Sequence, residues 1–208
     1  MTDNGNISSI QTPFGHFHLG AYGEGYGLCQ ESPATEYHDY ISDASNNWAA
    51  AQILSSGGSA IKISRTTADG NWTLVQTISK VASYGSIKIV MALTNNQSVD
   101  KVAYLVRFAD VDPDESLGFD LAGGSLQSAF AWSYWPGRYG LQLQNMGRWS
   151  GYQQGFVQYV PNGPNACDFA HYDNGGFQLG DPFSLEYVYA DTVPAHKTLT
   201  VTMNYRGT

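Results

Sequence analysis

Residues 85–115, GSIKIVMALTNNQSVDKVAYLVRFADVDPDE, decide the fold class of this chain. Every second residue from Ile87 to Leu93 is apolar, and the same alternation returns from Val102 to Phe108 after the polar segment Asn95–Ser98. A period of two is typical of β-strands, and a short polar turn between two such runs predicts an antiparallel hairpin. Because both faces of each run are largely apolar, we expect this hairpin at the centre of a sheet that is covered on both sides.

Further alternating runs occur on either side of this stretch. Ile61–Ile63 and Trp72–Ile78 flank an Ala-Asp-Gly-Asn turn and predict a second hairpin, and Phe183–Tyr189 and Thr198–Tyr205 predict a final pair of strands. The pattern indicates roughly ten to fourteen short strands and no amphipathic helix, which is typical of antiparallel sandwiches and barrels. We predict an all-β fold, a large, super-sandwich-like antiparallel β-sandwich with long connecting loops.

Composition limits the number of domains and the classes of partner. The chain has 208 residues, which suffices for one well-buried domain, and we place that domain at 13–208. Residues 1–12 are polar and predict a flexible N-terminal arm, or an edge strand if another segment docks it. A net charge of −8 disfavours nucleic acid and anionic membranes as partners. No apolar run approaches the ~20 residues that a membrane span requires.

The two cysteines, Cys29 and Cys167, leave two interpretations open. They form one disulfide in an exported protein, or they are two unpaired, buried thiols. The first residues, MTDNGN, do not predict a signal peptide within this sequence. From the Tyr-, Asn- and Gly-rich, Lys-poor composition we expect an extracellular or cell-surface protein.

The densest acidic cluster directly follows the second alternating run and consists of Asp110, Asp112, Asp114, Glu115 and Asp120. Clustered carboxylates can supply the roughly six to eight oxygens that calcium requires, and a spacing of two points Asp110 and Asp112 the same way. Three interpretations stay open. The cluster binds a structural calcium ion, or it forms a turn in which Asp110 pairs with Arg107 or caps amides, or it holds a catalytic carboxylate pair.

The segment His16-Phe17-His18 places two imidazoles two residues apart, with Glu24 further along. On a strand, this spacing brings both rings to one face, where they can hold a transition metal or share acid–base work. The alternative is that both histidines hydrogen-bond to loop backbones. The candidate catalytic residues are therefore His16, His18, Glu24 and His171.

Aromatic residues in predicted loops have polar neighbours. Sugars present apolar C–H faces and a ring of hydroxyls, so aromatic rings flanked by amides and charges suit a saccharide groove. The candidate ligand-binding residues are Trp135, Arg148, Trp149, Tyr152, Tyr172 and Asp173. Aromatic residues inside predicted strands, namely Phe130, Trp132, Tyr139 and Phe156, are assigned to the core.

Three segments carry a resemblance to known proteins: GHFHLGAYGEGYGL at 15–28, SIKIVMALTNNQSVDKVAYLVRFADVD at 86–112 and VTMNYRG at 201–207. Their order resembles that of large extended β-sandwich domains in bacterial exported proteins, most of them uncharacterised. It is also similar in layout to the super-sandwich of the galactose-mutarotase and polysaccharide-lyase type. No catalytic residue is carried over, because no acid–base pair of these families aligns with this chain.

Three functions follow as hypotheses. The first is an exported protein that binds carbohydrate or a surface polymer, with calcium as its only expected cofactor. The second is a carbohydrate-active enzyme, an epimerase, lyase or hydrolase of super-sandwich type. The third is a self-assembling surface or filament subunit, in which edge strands associate. The sequence leaves the choice between binding and catalysis open.

Overall fold

The computed structural model describes residues 1–12, 14–81, 85–113, 120–133, 139–147, 151–158, 164–168, 177–180 and 183–207. The described residues form two antiparallel sheets that pack face to face, which confirms the predicted all-β sandwich. They contain no helix that is long and apolar enough to cross a membrane. The strands are β1 (Leu19–Gln30), β2 (Thr35–Tyr40), β3 (Gln52–Gly57), β4 (Ala60–Thr66), β5 (Trp72–Val81), β6 (Ser86–Asn95), β7 (Lys101–Val111), β8 (Asp120–Gly124), β9 (Ser128–Ser133), β10 (Gly140–Asn145), β11 (Tyr152–Gln158), β12 (Phe177–Gly180), β13 (Phe183–Val193) and β14 (Thr198–Gly207).

The two sheets differ in size. The small sheet has five strands in the order β11-β13-β7-β1-β2, and the large sheet has nine in the order β12-β8-β9-β10-β14-β6-β5-β4-β3. The main core lies between them and includes Ile89, Met91 and Leu93 from the large sheet and Leu105 and Ala109 from the small sheet. Each strand therefore sends alternate side chains into this core and the others outward.

The predicted hairpin of residues 87–108 is wrong. β6 pairs with β14 and β5 in the large sheet, whereas β7 pairs with β1 and β13 in the small sheet. The segment between them crosses from one sheet to the other and is not a hairpin turn. The expectation of central strands does hold for each one separately, because both have a strand on either side.

The predicted final pair is wrong for the same reason. β13 belongs to the small sheet and β14 to the large sheet, so Phe183–Tyr189 and Thr198–Tyr205 are not ladder partners. The predicted hairpin at Ile61–Ile78 is confirmed, because β4 and β5 pair in continuous antiparallel register from Ala60↔Ser79 to Thr66↔Thr73.

The glycine-rich segment of the sequence forms β1 and its bulge. The register with β7 shifts between Leu19 and Glu24, and Gly23 within this bulge has a φ of 72°. A Cβ at Gly25 would overlap the Asp39 carbonyl oxygen, and a Cβ at Gly27 would lie 2.6 Å from the Tyr40 hydroxyl. These glycines therefore let β2 and its aromatic side chains approach β1 closely.

Two ion pairs lie inside the sandwich. The Arg107 Nε donates to Glu24, and the Arg65 Nη1 donates to Asp39; all four side chains are at most 8% exposed. Buried charges of this kind require hydrogen-bonding partners, because an unpaired charge in an apolar core is costly. Tyr205 adds to this network by donating its hydroxyl to Glu24.

The N-terminal segment docks onto these ion pairs. The Ile7 amide donates to Glu24 Oε2 at 2.7 Å, and the Asn6 Nδ2 donates to Asp39 Oδ1 at 2.6 Å. Ile7 and Ile10 are buried in the main core. Residues 1–12 are thus held by the sandwich without forming one of its strands, and their flexibility stays a prediction.

Cys29 and Cys167 form a disulfide, which decides between the two interpretations of these residues. The bond ties segment 164–168 to the outward face of the small sheet. The Tyr40 hydroxyl donates to the Pro164 carbonyl oxygen, and the Ala166 amide donates to Glu36 Oε1, both at 2.8 Å. A second, smaller apolar cluster around Val106 and Phe156 lies beneath this segment.

Candidate functional site

The outward face of the large sheet carries an aromatic pair on β9. Phe130 and Trp132 are two residues apart, and their rings stack 4.9 Å apart with an angle of 13° between their planes. Both side chains are half-buried, whereas their neighbours Ala129 and Ala131 are fully buried in the core. The prediction that Phe130 and Trp132 are core residues is therefore wrong, because the alanines occupy the core side of this strand.

A row of amide side chains continues from the aromatic pair across the sheet. Gln142 on β10 lies opposite Phe130, and the next outward residue of β10, Gln144, lies opposite Asn204 on β14. The Gln142 Nε2 donates to the Ser128 hydroxyl at 3.0 Å, which fixes its direction. Asn204 is only 8% exposed, and its Oδ1 accepts no hydrogen bond from any residue that the structure describes.

This surface can do what saccharide recognition requires. Half-buried aromatic rings can contact the C–H face of a sugar, and side-chain amides can both donate to and accept from its hydroxyls. The Asn204 Oδ1 is also a buried acceptor without a donor, which a ligand hydroxyl would satisfy. We call the surface formed by Phe130, Trp132, Gln142, Gln144 and Asn204 the amide face.

Several residues predicted from the acidic and histidine motifs meet at one end of the sandwich. The Asp112 amide donates to the His18 carbonyl oxygen at 3.1 Å. A Cβ at Gly20 would lie 2.5 Å from Asp110 Oδ2 and 3.2 Å from Asp112 Cβ, so both aspartates border the same glycine. Among the described residues, no group of three or more His, Cys, Asp or Glu side chains could hold a metal ion.

Asp110 is almost fully buried on the outward side of β7 and accepts from the Tyr22 amide at 2.9 Å. Burial raises the pKa of Asp110; the Tyr22 hydrogen bond opposes this shift, and the negative charge of Asp112 adds to it. Two contacts were proposed for Asp110, an ion pair with Arg107 and hydrogen bonds from backbone amides. The structure contains the second kind, from the Tyr22 amide. Arg107 pairs with Glu24 and not with Asp110.

The remaining catalytic candidates differ in exposure. His18 is fully buried, and its Nε2 donates to the Thr12 carbonyl oxygen at 2.6 Å. Glu24 is also fully buried, and it binds Arg107, Ile7 and Tyr205 as described above. His16 is half-buried, and its ring lies 3.8 Å from that of Tyr139. Of these three, only His16 reaches the surface.

Most of the predicted ligand-binding residues lie outside the described residues. Tyr152 is described; it is 47% exposed on β11, at the edge of the small sheet and opposite Ala190 of β13. Asp120 is described as the first residue of β8, where it pairs with Ser133. The predicted residues outside the described part of the chain are Asp114, Glu115, Trp135, Arg148, Trp149, His171, Tyr172 and Asp173.

A groove of about 720 Å³ opens between the N-terminal segment and the ends of β4, β5 and β6. Its lining is largely aliphatic and includes Ile10, Ile61, Ile78 and Ile87, with Tyr205 among the lining residues. None of the predicted site residues that the structure describes lines it. We therefore place the candidate site on the amide face, where polar groups accompany the aromatic rings.

The residues of the amide face are not among the candidate site residues predicted from the sequence. Gln142 and Gln144 do alternate with Leu141 and Leu143, so their outward direction was available from the strand pattern. Their proximity to Asn204 was not, because β10 and β14 are far apart in the chain and pair only in the folded sheet. The same holds for the position of Asn204 beside Lys88 of β6.

Two solved structures share the fold of this chain. A bacterial glucoamylase complexed with acarbose matches with a TM-score of 0.68 and 9% identity, over 98% of this chain and 29% of that chain. A putative aldose 1-epimerase from Escherichia coli K12 matches with a TM-score of 0.56 and 10% identity, over 99% of this chain and 93% of that chain. No family model and no curated protein matches the chain. At these identities the likeness shows the fold alone, and the chain spans less than a third of the glucoamylase.

Proposed function

We propose that this protein is an exported β-sandwich that binds a carbohydrate or surface polymer on the amide face. The observation that carries the proposal is the stacked pair of Phe130 and Trp132 beside a row of side-chain amides. Both structural neighbours are named as proteins that act on sugars, which supports this class of ligand. The disulfide between Cys29 and Cys167 supports export, because such bonds persist in oxidising compartments.

The proposal is tested by removing one outward aromatic side chain from each sheet, Trp132 from the large sheet and Tyr152 from the small sheet. We expect Trp132→Ala to weaken binding to a polysaccharide identified by glycan array by at least about tenfold, because the aromatic contact is lost. Tyr152→Ala is the matched control, because Tyr152 is an exposed aromatic residue on the other sheet. Affinity loss in Tyr152→Ala with unchanged binding in Trp132→Ala would move the site to the small sheet. Absence of any glycan ligand would refute the proposal.

The enzymatic hypothesis is supported by one observation. The Asp112 amide bonds to the His18 carbonyl oxygen, and Asp110 borders the same glycine as Asp112, so residues that would share acid–base work lie at one end of the sandwich. Since His18 is fully buried, His16 is the side chain that a substrate would meet first. An enzyme of this kind would turn over an aldose or oligosaccharide and lose that activity in His16→Ala. Equal turnover in His16→Ala would exclude this residue.

The self-assembly hypothesis is supported by β3. All six residues of this edge strand, Gln52–Gly57, are exposed, and none of them is charged. Charged side chains commonly protect such edges from pairing with another chain. Light scattering over a range of protein concentrations tests the hypothesis, with Leu54→Lys as the variant that should abolish any association. A monomer at every concentration would refute it.

A further inference from the structure

Charge is distributed unequally between the two sheets. The strands of the large sheet contain five cationic residues and a single acidic one, Asp120. The strands of the small sheet contain six acidic residues and two cationic ones, Lys101 and Arg107. The large sheet is therefore positive in a chain whose net charge is −8.

Three of the five cations of the large sheet face outward. Lys62, Lys88 and Arg206 are exposed, and each alternates with residues that face the core. Of the other two, Arg65 points inward to Asp39, and Lys80 lines the aliphatic groove. None of the three outward cations forms an ion pair with a carboxylate in the part of the chain that the structure describes.

The outward cations adjoin the amide face. Lys88 lies directly opposite Asn204, and Arg206 lies opposite Gln142. Because Arg206 pairs with Ser86, it is a diagonal neighbour of Lys88, with a Cα separation of roughly 7–8 Å. Lys62 lies on β4, two strands away from the β6 strand that carries Lys88, and its row across the sheet is that of Val90, the next outward residue of β6. The two lysines are therefore about 12 Å apart. The cations therefore form a sparse row and not a dense basic cluster.

The strands around this row offer no competing carboxylate. β3, β4, β5, β6, β9, β10 and β14 contain no aspartate or glutamate. A ligand carboxylate at Lys88 or Arg206 would thus meet cations without a repelling side chain on the adjacent strands. Arginine can bind a carboxylate through two parallel hydrogen bonds, and lysine can do so as a point charge.

Asn204 points to a second chemical group on the same ligand. The residue is only 8% exposed, and no donor among the described residues bonds to its Oδ1. A buried acceptor of this kind is satisfied by a hydroxyl donor and not by a carboxylate. A ligand that carries both hydroxyls and carboxylates would satisfy Asn204 and Lys88 at neighbouring positions.

We propose that the amide face and its cation row, Lys62, Lys88 and Arg206, bind a carboxylated polysaccharide, a polymer of uronic acid residues. This inference rests on the proposed carbohydrate-binding function and names the class of its ligand. The rings of Phe130 and Trp132 contact the C–H faces, the amides bind hydroxyls, and the cations bind carboxylates. Polymers of high charge density, such as nucleic acid, are disfavoured, because the cations are sparse and the rest of the chain is negative.

The test compares one polymer in two charge states. Affinity electrophoresis is run in gels that contain polygalacturonate, and in gels that contain the same polymer with its carboxylates methyl-esterified. We expect at least about tenfold tighter binding to the acid form at low salt, and a loss of that preference at high salt. Binding to a polyanion would occur against the repulsion expected from a net charge of −8.

Variants connect this preference to the cation row. The double variant Lys88→Gln/Arg206→Gln is expected to lose the preference for the acid form, because two exposed cations are removed. Lys197→Gln is the matched control, because Lys197 is an exposed cation in the turn between β13 and β14 and should leave binding unchanged. Both positions of the double variant are exposed, so the fold should be retained, as measured by thermal unfolding.

Four results would overturn the inference. Equal binding of the acid and ester forms, or an undiminished preference in the double variant, would refute the carboxylate contacts. Binding of neutral glycans alone would refute them too, while leaving the proposed function intact. Binding of DNA as tight as that of polygalacturonate would show a general polyanion surface. Absence of binding to any saccharide would refute both this inference and the proposed function.

Discussion

Asn95 bonds directly to Val193, the last residue of β13, across the gap between the two sheets. Its Nδ2 donates to the Val193 carbonyl oxygen at 2.9 Å and to the Val99 carbonyl oxygen at 2.8 Å. Nearby, the Ala195 amide donates to Asp100 Oδ1 at 2.9 Å. Two of the connections that cross between the sheets, β6 to β7 and β13 to β14, are therefore held against each other at one end of the sandwich.

Asn95→Ala is expected to lower the free energy of unfolding by about 2–3 kcal/mol, because it removes the donor to the buried Val193 carbonyl oxygen and to the partly buried Val99 carbonyl oxygen. Urea unfolding at equilibrium measures this change. Ser98→Ala is the control in the same connection, because Ser98 is exposed, and it should change stability by less than about 0.5 kcal/mol. A small effect of Asn95→Ala would mean that the crossing is determined by strand packing alone.

Gly25→Ala should destabilise the fold strongly. The added Cβ would overlap the Asp39 carbonyl oxygen and lie 2.7 Å from the Tyr40 Cα, so β1 and β2 would have to separate. We expect a loss of at least about 3 kcal/mol in the free energy of unfolding. Gly57→Ala is the matched control, because no atom lies within 4 Å of its added Cβ. Similar losses in both variants would contradict the close-approach explanation.

His38 should make stability depend on pH. Its ring nitrogens lie 3.3 Å from Glu36 and 3.3 Å from Asp43. Burial alone lowers the pKa of His38, but the hydrogen bonds and charges of Glu36 and Asp43 outweigh it and raise the pKa above 6.5. A raised pKa stabilises the fold below the unfolded-state pKa, and this contribution is lost as the pH rises through the folded-state pKa.

The Tm difference between the wild type and His38→Gln is therefore expected to be largest near about pH 5.5 and to shrink towards about pH 9. Differential scanning calorimetry at both pH values measures it. Since the His38 ring also stacks on Tyr40, a destabilisation that is equal at both pH values would assign the effect to ring packing.

The predicted calcium site is tested by adding and removing the ion. Asp110 and Asp112 border the same glycine, so a cation bound beside them would reduce their mutual repulsion. We expect calcium to raise Tm and EDTA to reverse the rise, because a ligand that binds only the folded state stabilises it. Asp112→Asn should abolish the response. An unchanged Tm in saturating calcium would refute the calcium site and favour the interpretation of the acidic cluster as a structural turn.

Part of the candidate site could be predicted from the local pattern. The alternation of Leu141, Gln142, Leu143 and Gln144 separates core from surface side chains without any knowledge of the fold. In the segment around Phe130 and Trp132, the same alternation led to the wrong prediction of which face points to the core. It identified two faces correctly, but large aromatic residues were expected in the core, and small alanines occupy it.

The disulfide and the buried ion pairs could not be predicted from the sequence. Cys29 and Cys167 are separated by 138 residues, and Arg107 was expected near Asp110, its neighbour in sequence, but pairs with Glu24 of the adjacent strand. Contacts of this kind depend on which strands become neighbours. The number of residues between two positions does not tell how far apart they lie in the folded sheets.

By itself, the sequence determined that the chain is built from pleated strands and that a short turn joins β4 to β5. These properties depend on neighbouring residues, whose alternation and turn chemistry act locally. Only the tertiary structure decided that β6 and β7 lie in opposite sheets and that Asn204 lies between Gln144 and Lys88. The backbone hydrogen bonds of a strand can be satisfied by many partner strands. The pairing that forms is the one that buries the apolar faces of both sheets in one core.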